Sequence, residues 1–101
     1  MAGMFDLTGR VALVTGASRG IGEAIAKAFA QQGARVVVSS RKQEACDEVA
    51  QEIVAAGGDA VALACHIGDM DALAGLFGEV ERRFGRLDVL VNNAGSLVRR
   101  V

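Results

Sequence analysis

Between an apolar run at 11–14 and a helical pattern that starts within a few residues, the chain reads Thr15-Gly16-Ala17-Ser18-Arg19-Gly20-Ile21-Gly22. Glycines at 16, 20 and 22 remove Cβ atoms where a strand bends into a helix and where backbone must approach a ligand or the sheet closely. The first turn of the helix leaves N–H groups without intrahelical acceptors. Together with the positive end of the helix dipole, those donors suit a pyrophosphate. Glycine-rich turns between strand and helix also arise for steric reasons alone, and the spacing Gly-x-x-x-Gly-x-Gly departs from the dinucleotide fingerprint, whose first two glycines are separated by a single residue.

A second chemical signal comes from charge. About twenty residues beyond such a turn, an NAD site places a carboxylate against the ribose 2′-hydroxyl. This chain has Ser39, Ser40 and Arg41 there. With no carboxylate to repel a 2′-phosphate, Arg41 is able to pair with it, Arg19 to approach from the glycine turn, and the serine hydroxyls to donate hydrogen bonds. These residues favour NADP(H) as cofactor over NAD(H); the competing reading makes Arg19 and Arg41 solvated surface charges.

The remaining reactive side chains point elsewhere. His66 is the single histidine and has no second ligand near it in sequence, so a metal role is disfavoured. Cys46 and Cys65 form no CxxC pair and read as reduced core or near-core thiols. A net charge of -1 with both signs mixed along the chain gives no reason to expect nucleic acid or an acidic membrane surface as partner. No run is long enough to span a bilayer, and residues 1–8 lack the basic start and apolar centre of a secretory signal. The cytoplasm follows by default. At 101 residues, half of them apolar, the chain has room for one small domain with a core.

These residues need elements to hold them. Residues 10–14, 35–39, 60–64 and 87–92 read as strands, the first holding a continuous apolar run of the kind buried on both faces of a parallel sheet and the second a short β-branched run. Residues 20–32, 43–56 and 70–84 read as helices, with apolar stripes at Ile21, Ala24, Ile25, Ala28 and Phe29, at Cys46, Val49, Ala50 and Ile53, and at Leu73, Leu76, Phe77, Val80 and Phe84. Gly33, Gly57, Gly58 and Gly85 stand where the helices stop. Alternating strands and helices predict an α/β fold, a partial Rossmann-type parallel sheet in strand order 3-2-1-4 with three helices, two on one face and the third on the other. The doubly wound pattern is then incomplete. The fourth strand is left at an open edge that further chain or a partner must cover.

The glycine turn with Thr15, Ser18 and Ile21 resembles the cofactor motif of the short-chain dehydrogenase/reductase family, classical type. Asn92-Asn93-Ala94-Gly95, directly after the fourth strand, is similar to that family's second motif, and Asp88 fits its acidic residue entering that strand. The resemblance implies that Gly16, Ser18, Arg19, Gly20 and Ile21 surround the pyrophosphate and adenosine ribose of a nicotinamide dinucleotide, with Gly22 allowing close packing of helix on sheet. It implies that Asn92 braces the central strand while Asn93, Ala94 and Gly95 line the ribose and nicotinamide. His66 stands where much of the family has an Asp that bonds the adenine amino group, a bond a neutral imidazole is able to accept. On the charge grounds above, Ser40 and Arg41 are the residues expected to take a 2′-phosphate.

The family's reaction is hydride transfer between nicotinamide and a carbonyl or alcohol carbon. A Tyr acts as general acid/base, a Lys four residues on lowers its pKa, and a Ser orients the substrate oxygen. Those groups fall in the second half of a longer chain. This sequence has no Tyr, and Lys27 and Lys42, its only lysines, lie in the first helix and second crossover, so no catalytic residue is assigned. The resemblance therefore implies that residues 1–101 are the N-terminal cofactor-binding portion of a longer carbonyl or 3-oxoacyl reductase, a homo-oligomer when complete, acting on a small carbonyl or alcohol. The alternative is a non-catalytic nucleotide-binding or subunit-interaction module, complete at this length and paired through its open edge.

Overall fold

The computed structural model describes residues 6–65, 70–93 and 97–100. In chain order the elements are β1 (Val11–Thr15), α1 (Gly20–Gln31), β2 (Arg35–Ser39), α2 (Gln43–Ala55), β3 (Asp59–Ala62), α3 (Met70–Phe84), β4 (Val89–Asn92) and β5 (Leu97–Arg100). They form one sheet in the order β3-β2-β1-β4-β5. The first four strands are parallel, so the expected 3-2-1-4 order with three helices holds.

Alternation along the strands divides the core into two. Ala12, Val14, Val36, Val38 and Val91 face α1 and α2, where they meet Ala26, Ala30, Cys46, Val49, Ala50 and Ile53. Val11, Leu13 and Val37 face the other way, onto Leu76 and Val80 of α3. A β-branched or leucine side chain buried in this way contributes about 1.5–3 kcal/mol, and only strands apolar on both faces supply it to both layers. The connection leaving β1 runs through α1 on one face and the connection arriving at β4 runs through α3 on the other, so the strand order reverses between those two strands.

Two expectations are corrected. The stripe expected on α1 does not lie against the sheet as a whole. Gly22, Ala26 and Ala30 are its buried residues, Ile25 and Phe29 are half-buried, and Ala24 and Ala28 are exposed. Ile21 is 71% exposed. Small side chains at i, i+4 and i+8 let the helix approach β1 and β2 more closely than a row of larger ones would, and that approach decides which face turns inward. The outer edge of β4 is also not open. Leu97–Arg100 return antiparallel along it, with Asn92 opposite Leu97 and Val89 opposite Arg100. An antiparallel neighbour needs only a short reversal, whereas a parallel one needs a crossover, so the unpaired backbone row takes up the residues that follow.

At the amino end of the sheet Asp88 ties β1 to β4. Its Oδ2 accepts the Val11 N–H at 2.8 Å, and its own N–H donates to Val11 O at 2.9 Å. Arg86 donates to both carboxylate oxygens at 2.8 Å, and Arg10 lies 3.5 Å away. The Arg86 hydrogen bonds chiefly, with help from the Val11 N–H, hold this carboxyl below the ordinary range.

Candidate functional site

The carboxyl ends of β1, β2 and β4 converge, and short polar contacts tie them together. Thr15, the buried last residue of β1, places Oγ1 3.1 Å from Asn92 Oδ1 and 3.3 Å from Val91 O, so its single proton is held by β4. Asn93 Nδ2 donates to Gly16 O at 3.2 Å. Ala17 N–H donates to Ser39 O at 3.0 Å, which anchors the glycine turn to the end of β2.

The turn is shaped by what its glycines lack. Gly16 and Gly20 both adopt φ +62°, a region that side-chain-bearing residues rarely occupy. Gly22 has a different reason: a Cβ there would lie 2.1 Å from Gly16 O and 3.0 Å from Asn93 Nδ2. Helix α1 therefore begins in backbone contact with the turn. Arg19, its extended N-cap residue, makes no side-chain cap, and the first intrahelical acceptor it offers is taken by Glu23 N–H. The N–H groups of the first turn are thus donors without acceptors inside the helix, beside the exposed side chain of Ile21.

The next ledge is the loop after β2. Ser40 is half-buried, with Oγ 3.0 Å from Cys46 Sγ and 3.4 Å from both the N and the O of Lys42. Ser39 Oγ is wholly buried and without a hydrogen-bond partner among the described residues. Gln43 fastens this loop to the end of β3, donating to Ala62 O and accepting from Ala64 N–H, both at 3.1 Å.

Electrostatics mark this edge. Among the described residues Arg10, Lys27, Arg35, Arg82, Arg83 and Arg86 all pair with carboxylates. Arg19, Arg41 and Lys42 do not, and all three are exposed at the carboxyl end of the sheet. Three unpaired cations, a row of free N–H donors and a cradle that side chains would fill are a donor set for an extended anion. They fit a dinucleotide diphosphate at the switch point of an open α/β sheet. No group of three or more His, Cys, Asp or Glu gathers to hold a metal among the described residues.

Of the residues expected to form the site, Gly16, Ser18, Arg19, Gly20, Ile21, Gly22, Ser40, Arg41, Asn92 and Asn93 lie on or beside this one edge. His66, Ala94 and Gly95 lie outside the described residues. Sequence reasoning missed Lys42 and Cys46. The first was visible as a charge beside Arg41, but only the ion-pair pattern separates it from the other lysine, which bridges Glu23 and Glu52. The second lay hidden in the apolar stripe of α2. The apolar grooves between α2 and β3 and between α1 and α2 share no residue with the site.

Comparison with known proteins agrees with this geometry. A family model described as short chain dehydrogenase matches residues 10–100. A fatty acyl-CoA reductase of Mycobacterium tuberculosis is 46% identical over 95 residues, 94% of this chain and 32% of the relative. Versicolorin reductase 1 of Aspergillus parasiticus is 50% identical over 90 residues, 88% and 34% of the two chains. A 3-oxoacyl-[acyl-carrier-protein] reductase of Synechocystis is 48% identical over 93 residues, 91% and 38%. Among solved structures, a metagenomic short-chain oxidoreductase in complex with NADP superposes with a TM-score of 0.82 at 50% identity, covering 85% of this chain and 39% of that one. The chain thus spans about a third of the length of the curated relatives it matches.

Proposed function

The chain belongs to the short-chain dehydrogenase/reductase family, and we propose that it is the NADP(H)-binding N-terminal portion of a carbonyl or 3-oxoacyl reductase. The observation that carries the cofactor assignment is the set of unpaired cations. Arg19, Arg41 and Lys42 lack carboxylate partners while every other described Arg or Lys side chain has one. No carboxylate occupies the end of β2, where Ser39, Ser40 and Arg41 stand instead. A 2′-phosphate supplies the missing counter-charge. The neighbour whose description includes NADP, and the reductases among the relatives, support the same reading.

Each residue then has a task. The N–H groups opening α1 bind the diphosphate, and Gly16, Ser18, Gly20 and Ile21 border it. Gly22 brings the helix start onto the turn, so that those donors are rigidly placed. Thr15 and Asn92 lock β1 to β4, and Asn93 holds the turn through Gly16 O while it lines the nicotinamide side with Ala94 and Gly95. His66 meets the adenine edge. Arg41, Ser40 and Arg19 bind the 2′-phosphate. The nicotinamide, when bound, supplies the hydride chemistry at a carbonyl or alcohol carbon of a small substrate.

The catalytic acid is a Tyr in the family, and these 101 residues contain none, so they are expected to give no turnover by themselves. The short span relative to the relatives supports reading residues 1–101 as one portion of a longer enzyme, which we take to be a homo-oligomer when complete. In the alternative, a non-catalytic nucleotide-binding or subunit-interaction module, the strand edge available for pairing is that of β5 rather than β4. Two buried cysteines outside any disulfide suit a reducing compartment, and we place the protein in the cytoplasm.

The test is Arg41→Asp, with NADPH and NADH affinities measured side by side. A charge-assisted contact to phosphate replaced by a repulsive one costs at least about tenfold in the NADPH to NADH preference. An unchanged ratio refutes the assignment.

A further inference from the structure

We propose that Cys46 is a positioning residue for the 2′-phosphate end of the cofactor, acting by fixing the direction in which the Ser40 hydroxyl donates. This role rests on the NADP(H) reading above. The contact that carries it is one the core does not need. Cys46 is fully buried on the inward stripe of α2, where its companions Val49, Ala50 and Ile53 are purely apolar. Its Sγ nevertheless lies 3.0 Å from Ser40 Oγ, at the head of the loop that carries two unpaired cations.

A hydroxyl has one proton and two lone pairs. Lys42 N–H approaches Ser40 Oγ at 3.4 Å and takes one lone pair. The 3.0 Å contact with Cys46 Sγ allows either atom to donate. In the proposed arrangement the donor is the Cys46 S–H, a weak donor with no other hydrogen-bond partner among the described residues, which then takes the second lone pair. In that arrangement both donors lie on the lone-pair side of the hydroxyl, and the Ser40 proton is left to point outward. The protein acceptor on offer, Lys42 O, is also 3.4 Å away, a poor length for an O–H donor. A phosphate oxygen between Ser40 and Arg41 is a far better acceptor, and charge assistance strengthens that bond. The thiol thus orients the hydroxyl toward the anion. In the opposite arrangement Ser40 donates its proton to Sγ and is lost to the phosphate, so the direction of this one bond decides whether Ser40 discriminates. NADH, lacking the phosphate, is indifferent to it.

The experiment uses the full natural chain titrated with NADPH and NADH, comparing wild type with Cys46→Ala, Cys46→Ser, Ser40→Ala and the Cys46→Ala/Ser40→Ala double variant. Cys46→Ala is expected to weaken NADPH about three- to tenfold with NADH unchanged, and Cys46→Ser, which keeps a donor at this site, to restore most of the preference. In the Ser40→Ala background the alanine at 46 should change nothing further, which separates positioning from packing. The S–H stretch of Cys46 should shift on binding NADPH and not NADH. An unaltered ratio in Cys46→Ala, equal loss of both cofactors, or failure of the serine to restore the preference overturns the inference. Should Cys46→Ala not fold, the Ser variant and the S–H stretch decide the question in its place: loss of preference in Cys46→Ser, or a stretch that NADPH leaves unmoved, overturns it. A wild type without NADPH preference instead refutes the cofactor reading itself.

Discussion

Replacing Gly22 by alanine tests the geometry on which the site depends, because elementary helix energetics alone predicts the opposite sign. Gly22 lies within α1, and no positive φ singles it out, so alanine should stabilise it by about 1 kcal/mol on propensity. The structure puts the new Cβ 2.1 Å from Gly16 O and 2.8 Å from Gly16 C. A carbon and a carbonyl oxygen approach to roughly 3.3 Å, so the helix start must retreat by about 1 Å. Neither neighbour can rotate away, since both are backbone. Overpacking of this kind costs about 1–3 kcal/mol, and the displaced turn weakens the Asn93 to Gly16 O bond by about 1 more. After the propensity gain the net loss is about 2 kcal/mol, or about 8–16 °C in Tm for a domain of this size. Gly75→Ala supplies the control: it sits in α3, exposed, with no atom within 4 Å of the added Cβ. There the propensity term stands alone and Tm should rise by about 2–8 °C. Both variants are compared by thermal unfolding followed by circular dichroism. A Gly22→Ala protein that melts above wild type, as the control does, refutes the close approach of α1 to the turn.

Three further outcomes follow from the strand ties and the paired carboxylates. Asp88→Ala leaves the Val11 N–H without its side-chain acceptor and frees two arginines, and should lower stability by about 1–3 kcal/mol, read as a reduced urea midpoint at unchanged slope. Thr15→Val preserves shape but removes the buried donor between β1 and β4. It should cost about 1–2 kcal/mol, and a variant as stable as wild type would show that Thr15 does not brace the strands. Glu79 is held at about 2 by its hydrogen bonds from Arg82 and then Arg83, and Asp88 is held below its ordinary value by Arg86. A carboxyl with a depressed folded pKa contributes stability above its unfolded value and loses it as pH falls through the folded one. Urea midpoints should therefore be level at neutral pH and fall below about pH 4.5, with a shallower fall in Asp88→Asn.

The sequence by itself determined the periodicities. Runs apolar on both faces made β1 and β2 strands, the stripe Cys46, Val49, Ala50 and Ile53 turned inward as read, and α3 spans Met70–Phe84 as expected. It also determined the chemistry at the strand ends, because three glycines, an Asn pair and an arginine without an acidic neighbour are informative as residue types. Tertiary structure decided what depends on distance through space. Thr15 meets Asn92 across 77 positions, and the need for glycine at 22 comes from Gly16 and Asn93 rather than from the helix that contains it. The inward face of α1 was settled by which side chains were small enough to lie on the sheet, and β5 by an edge left unpaired elsewhere in the chain. Lys42 and Cys46 join the site for the same reason. Periodicity reports which way a residue faces within its own element, whereas its charge partner or hydrogen-bond partner belongs to another element and is set only when the two pack.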